Sequence, residues 1–179
     1  RVDGQSYARV VGDASTPAWL RVSHWPSARA RPVHALRLEL HGVAPARLAD
    51  TVQRVRRMFD LDADPNAIAA VLGADPRLRP LLRQRPGLRL PSGWDGLEIA
   101  ARAVIGQQVS VAAARTLAAR LVQRHGAQVA LDAAPGLDRL FPDAATLAAA
   151  DLDGLGLTGA RIASLRAIAR AVLEGKVGF

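Results

Sequence analysis

The residues that could do chemistry are few. Asp60-Leu61-Asp62-Ala63-Asp64 alternates carboxylates in the way a calcium loop begins. Pro65 then stands where such a loop needs glycine, and Val71 where it needs a bidentate glutamate. These acids therefore read as solvated groups around a helix start. The histidines are His24, His34, His41 and His125, with no His-x-His or His-x-x-x-His pair to converge on zinc. The chain has no cysteine, which removes thiolate nucleophiles, thiolate ligands and disulfides together. No Gly-x-Ser-x-Gly elbow is present, so a hydrolase triad has no support. No metal and no cofactor is expected. Trp19, Trp25 and Trp94 are assigned to packing.

One segment stands out: Ala101-Arg102-Ala103-Val104-Ile105-Gly106-Gln107-Gln108-Val109-Ser110-Val111-Ala112-Ala113-Ala114. Two adjacent amides between a glycine and a fresh helix start make a sharp corner that exposes Gln107 and Gln108. Carboxamides both donate and accept, so they can meet base edges or replace lost pairing partners. The plainer alternative is a polar turn between helices with Ser110 as a cap, and spacing alone favours it.

The elements that must position this corner can be read from periodicity. Ser6 to Val11, Ala18 to Ser23 and Val33 to Leu40 alternate apolar and polar residues as strands do, with Gly12-Asp13 and Trp25-Pro26-Ser27 punctuating them. Pro45 opens a helix whose apolar face is Leu48, Val52, Val55 and Phe59, with Met58 beside them. Beyond about residue 60 every apolar segment has helical period. Helices are predicted over Pro65 to Leu72, capped by Asp64, and over Pro76 to Arg83. Arg85 to Pro91 reads as an extended connector. Further helices are predicted from Asp95 to Ile105, Ser110 to His125, Pro142 to Ala150 and Thr158 to Glu174. The fold class is α+β: residues 1–60 form a partial small antiparallel α+β domain and residues 61–179 an all-helical unit.

Half of the 179 residues are apolar, enough for a sizeable core, and the formal net charge is +8. Of the 24 basic residues only Lys176 is lysine. The ratio reads as a coding bias of the source. The excess charge itself favours a polyanionic partner, and guanidinium forks suit phosphate. No apolar run reaches the roughly 18 residues of a membrane span, and no signal peptide can be read at Arg1. A cytoplasmic setting is compatible with the missing cysteines.

A set of ordered landmarks resembles the AlkA-type 3-methyladenine DNA glycosylases of the helix-hairpin-helix superfamily. Pro86 to Pro91, Trp94-Asp95 and Arg102 to Ala112 are similar to the start of the family's helical core. Met58 to Leu61 resembles the junction into it. Phe141-Pro142 with Leu147 to Asp151, and Leu155 to Thr158 running on to Gly175, resemble later helices. The strand region is similar to the small domain that precedes the core.

The resemblance implies excision of alkylated bases from duplex DNA by base flipping and hydrolysis of the N-glycosidic bond, by a monomer. By position, Gln108 matches the family's minor-groove wedge, flanked by Gln107 and Val109; Gly106 and Ser110 complete the implied DNA-binding set. The best-known members carry a bulky aliphatic residue at this place, whereas here it is an amide. The family's catalytic carboxylate follows a hairpin element that would begin near the end of this chain, so it is expected beyond Phe179. Asp143, Asp151 and Asp153 are read as caps or turn residues. The chain is expected to be part of a longer protein, inactive alone, and an alkyl-acceptor regulatory module upstream is compatible with it. Two alternatives stay open: a non-catalytic DNA-binding module, and a helical interaction protein without a nucleic-acid role.

Overall fold

The computed structural model describes residues 2, 4–25, 35–131 and 136–178. Strands β1 (Ser6–Gly12), β2 (Pro17–Trp25) and β3 (Ala35–His41) form one antiparallel sheet in that order. The register sets Leu20 between Arg9 and Leu40. Val33 and His34, the expected start of the third strand, and the Pro26-Ser27 punctuation lie outside the described residues.

The β1–β2 turn rests on Gly12, whose φ of +87° favours a residue without a Cβ, and on Asp13. One oxygen of Asp13 accepts from the amides of Ser15 at 2.9 Å and Thr16 at 2.8 Å and from both hydroxyls. The Ser15 hydroxyl and then the Thr16 amide lower the Asp13 pKa to about 2.

Ala18, Leu20 and Val22 alternate onto one sheet face and pack with Val11 and with Val55 of α1 (Leu48–Met58), which follows a single 3-10 turn at Pro45–Arg47. The buried face of α1 is Thr51, Val55 and Met58. The expected stripe began at Leu48, which is instead 48% exposed. Val55 and Met58 are buried as read and Phe59 packs against the same cluster, but Thr51, which donates its hydroxyl to the Arg47 carbonyl at 2.7 Å, takes the place read for Leu48. That bond satisfies the hydroxyl and leaves its methyl free to pack.

Helix α2 (Pro65–Leu72) starts where predicted, with Asp64 accepting from the Asn66 amide at 2.8 Å. Helix α3 (Arg79–Gln84) starts three residues later than predicted. Asp75 accepts from the Arg77 amide at 2.7 Å, which makes the first residues a turn instead. Neither helix buries a residue. Their segment is latched at its base: the Ser92 amide donates to the Met58 carbonyl at 2.8 Å and the Leu90 amide to the Asp60 carboxylate at 3.1 Å. Arg89 donates to the carbonyls of Asp60 and Ala63. The alternating acids are thereby accounted for, since Asp62 pairs with Arg56 and Asp64 caps α2.

Helices α4 (Gly96–Gly106), α5 (Val111–His125), α6 (Ala144–Ala149) and α7 (Gly159–Leu173) enclose the second core. Each begins at a side-chain cap: Asp95, Ser110, Asp143 and Thr158 accept from the amides of Glu98, Ala113, Thr146 and Arg161. Ile105, Leu121, Leu147, Leu152 and Leu165 are fully buried within it, each contributing roughly 2 kcal/mol of apolar transfer.

At the end of α5 the chain passes so close to the segment at Leu140 that Gly126 has no room for a side chain. A Cβ there would lie 2.3 Å from the Leu140 carbonyl oxygen and 2.5 Å from that of Val122. Gly126→Ala is expected to lower stability by about 3 kcal/mol through forced backbone displacement. Urea denaturation reads this directly, and an unchanged midpoint would show that the segment yields.

Candidate nucleic-acid interface

The corner between α4 and α5 is built from their caps. Helix α4 ends at Gly106, and Gln107 leaves it in extended backbone with φ −61° and ψ 129°. Gln108 then takes φ +53°, the left-handed region that residues with a Cβ enter at an energetic cost; among the described residues only Asp60 and Gln108 do so without being glycine. Ser110 returns to extended backbone and caps α5. Gln107, Gln108 and Ser110 are exposed and Val109 is half-buried. Neither glutamine amide has a hydrogen-bond partner among the described residues. A Cβ at Gly106 would meet only the Ala114 methyl at 3.8 Å, so that glycine is not demanded by space.

The five expected residues, consecutive in the chain, run from the last residue of α4 to the cap of α5. The structure also adds a residue that the sequence does not point to. The guanidinium of Arg161, in the first turn of α7, donates to the Gln107 carbonyl. No local pattern links positions 54 apart.

A second group was equally hidden. Glu98 is 8% exposed and lies between two guanidinium groups. Arg9 Nη2 of β1 donates to its Oε2 at 2.8 Å and Arg102 Nε to its Oε1 at 2.8 Å. Burial by itself would raise the Glu98 pKa. The charge and hydrogen bond of Arg9, then those of Arg102, outweigh it and hold the carboxyl below its ordinary range. Glu98 is therefore a fixed anion joining the sheet to α4, not a proton donor. Only its i,i+4 relation to Arg102 was visible in sequence. Arg9 and Arg54 also lie over the Trp94 ring, at 5.3 and 5.6 Å. Beside this junction opens a cleft of about 650 Å³ lined by Arg9, Trp94, Arg102, Arg115 and Phe141.

Trp19 is buried as expected and Trp94 half-buried, whereas Trp25 at the end of β2 is 41% exposed; each has a cationic or planar neighbour. Trp19 stacks on His41 with ring centroids 3.9 Å apart, and Arg37 lies 4.0 Å over Trp25. Of the acids weighed as turn residues, Asp143 caps α6. Asp151 accepts from the Asp153 amide at 3.0 Å and pairs with Arg124 at 3.0 Å.

Among the described residues, no helix is long and apolar enough to cross a membrane. The curated relatives include a probable bifunctional transcriptional activator and DNA repair enzyme AlkA from Mycobacterium tuberculosis strain H37Rv. It is 42% identical over 127 residues, which cover 71% of this chain and 25% of that protein. DNA-3-methyladenine glycosylase 2 from Escherichia coli K12 is 38% identical over 145 residues, covering 79% of this chain and 48% of the relative. The chain thus spans between a quarter and about half the length of these relatives. Among solved structures, a 3-methyladenine DNA glycosylase from Archaeoglobus fulgidus superposes with a TM-score of 0.76 at 20% identity, over 94% of this chain and 56% of the other. A Clostridium acetobutylicum 8-oxoguanine glycosylase/lyase in complex with double-stranded DNA gives 0.65 at 13%, over 95% and 57%. Both show the same arrangement of a small α+β part followed by helices. The model of the AlkA N-terminal domain matches residues 1–95, more than half of the sequence, and the chain belongs to that family.

Proposed function

We propose that the whole protein is a DNA repair glycosylase, a cytoplasmic monomer that removes alkylated bases of the 3-methyladenine type from duplex DNA. The observation that carries this reading is the α4–α5 corner, where two exposed amides without a partner among the described residues stand on a left-handed backbone at Gln108. A base buried in a duplex is reached only after extrusion, which costs a few kcal/mol of unstacking and unpairing. Something must then fill the gap. Gln108 fills it, and its amide offers the orphaned base a donor and an acceptor in place of the lost partner. Gly106, Gln107, Val109 and Ser110 form the rest of the contact.

The surroundings favour a polyanion. The first turn of α5 holds no acid, so the positive end of its dipole meets the approaching backbone unopposed, and the chain carries a net charge of +8. An alkylated base bearing positive charge is already a good leaving group. The enzyme needs chiefly a pocket and a carboxylate to stabilise the oxocarbenium-like sugar. Four acids of this helical unit have structural duties: Asp95 and Asp143 cap helices, Asp151 pairs with Arg124 and Glu98 is locked between arginines. We assign the catalytic carboxylate to a part of the whole protein that follows Phe179.

The test is release of 3-methyladenine from methylated duplex DNA by the full-length protein. Release is expected, together with duplex binding that weakens steeply as salt rises. Salt-sensitive binding without release would replace the enzyme with a non-catalytic module. Neither binding nor release would end the nucleic-acid reading.

A further inference from the structure

Gln108 occupies the left-handed region although it carries a Cβ, and something must keep it there. The peptide that joins Gln107 to Gln108 contains the Gln107 carbonyl. A rotation of that peptide plane changes ψ of Gln107 and φ of Gln108 together. Holding the carbonyl oxygen in place therefore holds φ of Gln108 at +53°. The group that holds it is the Arg161 guanidinium, donated from α7.

The place of Arg161 in its own helix argues that it serves the corner. It is the third residue of α7, next to the positive end of that helix dipole, and the first turn contains no acid to offset it. Among the described residues no carboxylate forms an ion pair with it. A cation there is unfavourable for α7. It is favourable for α4, whose carbonyl end it meets at the Gln107 cap. We infer that Arg161 is a positioning residue for base extrusion, which fixes the Gln107–Gln108 peptide so that the Gln108 side chain is presented to the duplex. This rests on the reading of the corner as the DNA-inserting element. Arg161 acts through Gln108, and its five donors allow a rigid grip that one flexible ammonium matches only in part.

The experiment is single-turnover release of 3-methyladenine from methylated duplex by the full-length protein. Four variants are compared with the wild type: R161M, R161K, Q108A and the double R161M/Q108A. Methionine keeps the apolar stem of the arginine and removes its donors. R161M is expected to slow release about tenfold through misplacement of the wedge, with affinity for undamaged duplex within about threefold. R161K retains a donor and recovers most of that rate. The double variant is expected to be no slower than Q108A, because a residue that works through Gln108 has nothing left to position. R161M at the wild-type rate beside a slow Q108A would overturn the inference and leave the corner reading intact. Losses that multiply in the double variant would overturn it also, since Arg161 would then act by its own contact. Q108A at the wild-type rate would remove the corner reading, and the inference with it.

Discussion

Glu98→Ala is expected to lose about 4 kcal/mol of stability, the range found when one partner of a buried ion pair is removed. The cause is the arginine left behind. The Arg9 side chain is 15% exposed and its charge is balanced by Glu98; without the carboxylate it must move to water or stay charged with only the Val10 carbonyl and the Tyr7 hydroxyl as acceptors. Moving it would uncover Trp94, which the guanidinium overlies. Glu98→Gln keeps the shape and one accepting oxygen but loses the charge and sets an NH2 donor against one of the two arginines, and about half the loss is expected. The dependence on pH has a definite sign. The folded-state pKa of Glu98 is depressed, so its contribution is complete above the unfolded value near 4.5 and is lost as pH falls through the lower folded value. Urea titrations should show a wide gap between wild type and E98A at neutral pH and a closing gap on acidification. A gap that stays constant would mean that packing, and not charge, holds the junction.

Gln108→Ala is expected to slow base release about thirtyfold, equivalent to about 2 kcal/mol of support withdrawn from the extruded state. Removing the amide takes away both the filling volume and the hydrogen bonds offered to the orphaned base. Gln108→Leu separates the two. Leucine supplies an apolar wedge of similar size, so recovery to within about threefold would assign the work to volume. A leucine variant as slow as alanine would assign it to the amide. Both variants pay the same left-handed backbone cost, which keeps the comparison between side chains alone.

The helix starts were legible because their signals are local. Asp64-Pro65, Asp95, Ser110, Asp143 and Thr158 each cap within three residues, and alternation marked all three strands. On α1, Val55, Met58 and Phe59 were legible but the burial of Thr51 in place of Leu48 was not, since Thr51 counts as polar until its hydroxyl is seen to bond the Arg47 carbonyl. At the corner, the exposed glutamines and the Ser110 cap followed from glycine and helix period. The left-handed turn at Gln108 did not, and neither did its support. Arg161 and Arg9 act across 54 and 89 residues respectively, where only the packing of separate elements decides who meets whom. In an arginine-rich chain, moreover, no single guanidinium announces itself by type.

The segment from Asp60 to Pro91 has a property that follows from its latch. Its two ends are tied together by the bond from Ser92 to Met58 and by the contacts of Arg89, while α2 and α3 bury nothing. Closing this long excursion therefore depends on a handful of polar contacts at its neck, not on a core of its own. Such a segment opens as one cooperative unit, at a free energy well below that of global unfolding. Because the entropy of closing a loop grows only slowly with its length, insertions and deletions beyond the neck cost little. The excursion can therefore vary in length while the α4–α5 corner keeps its shape.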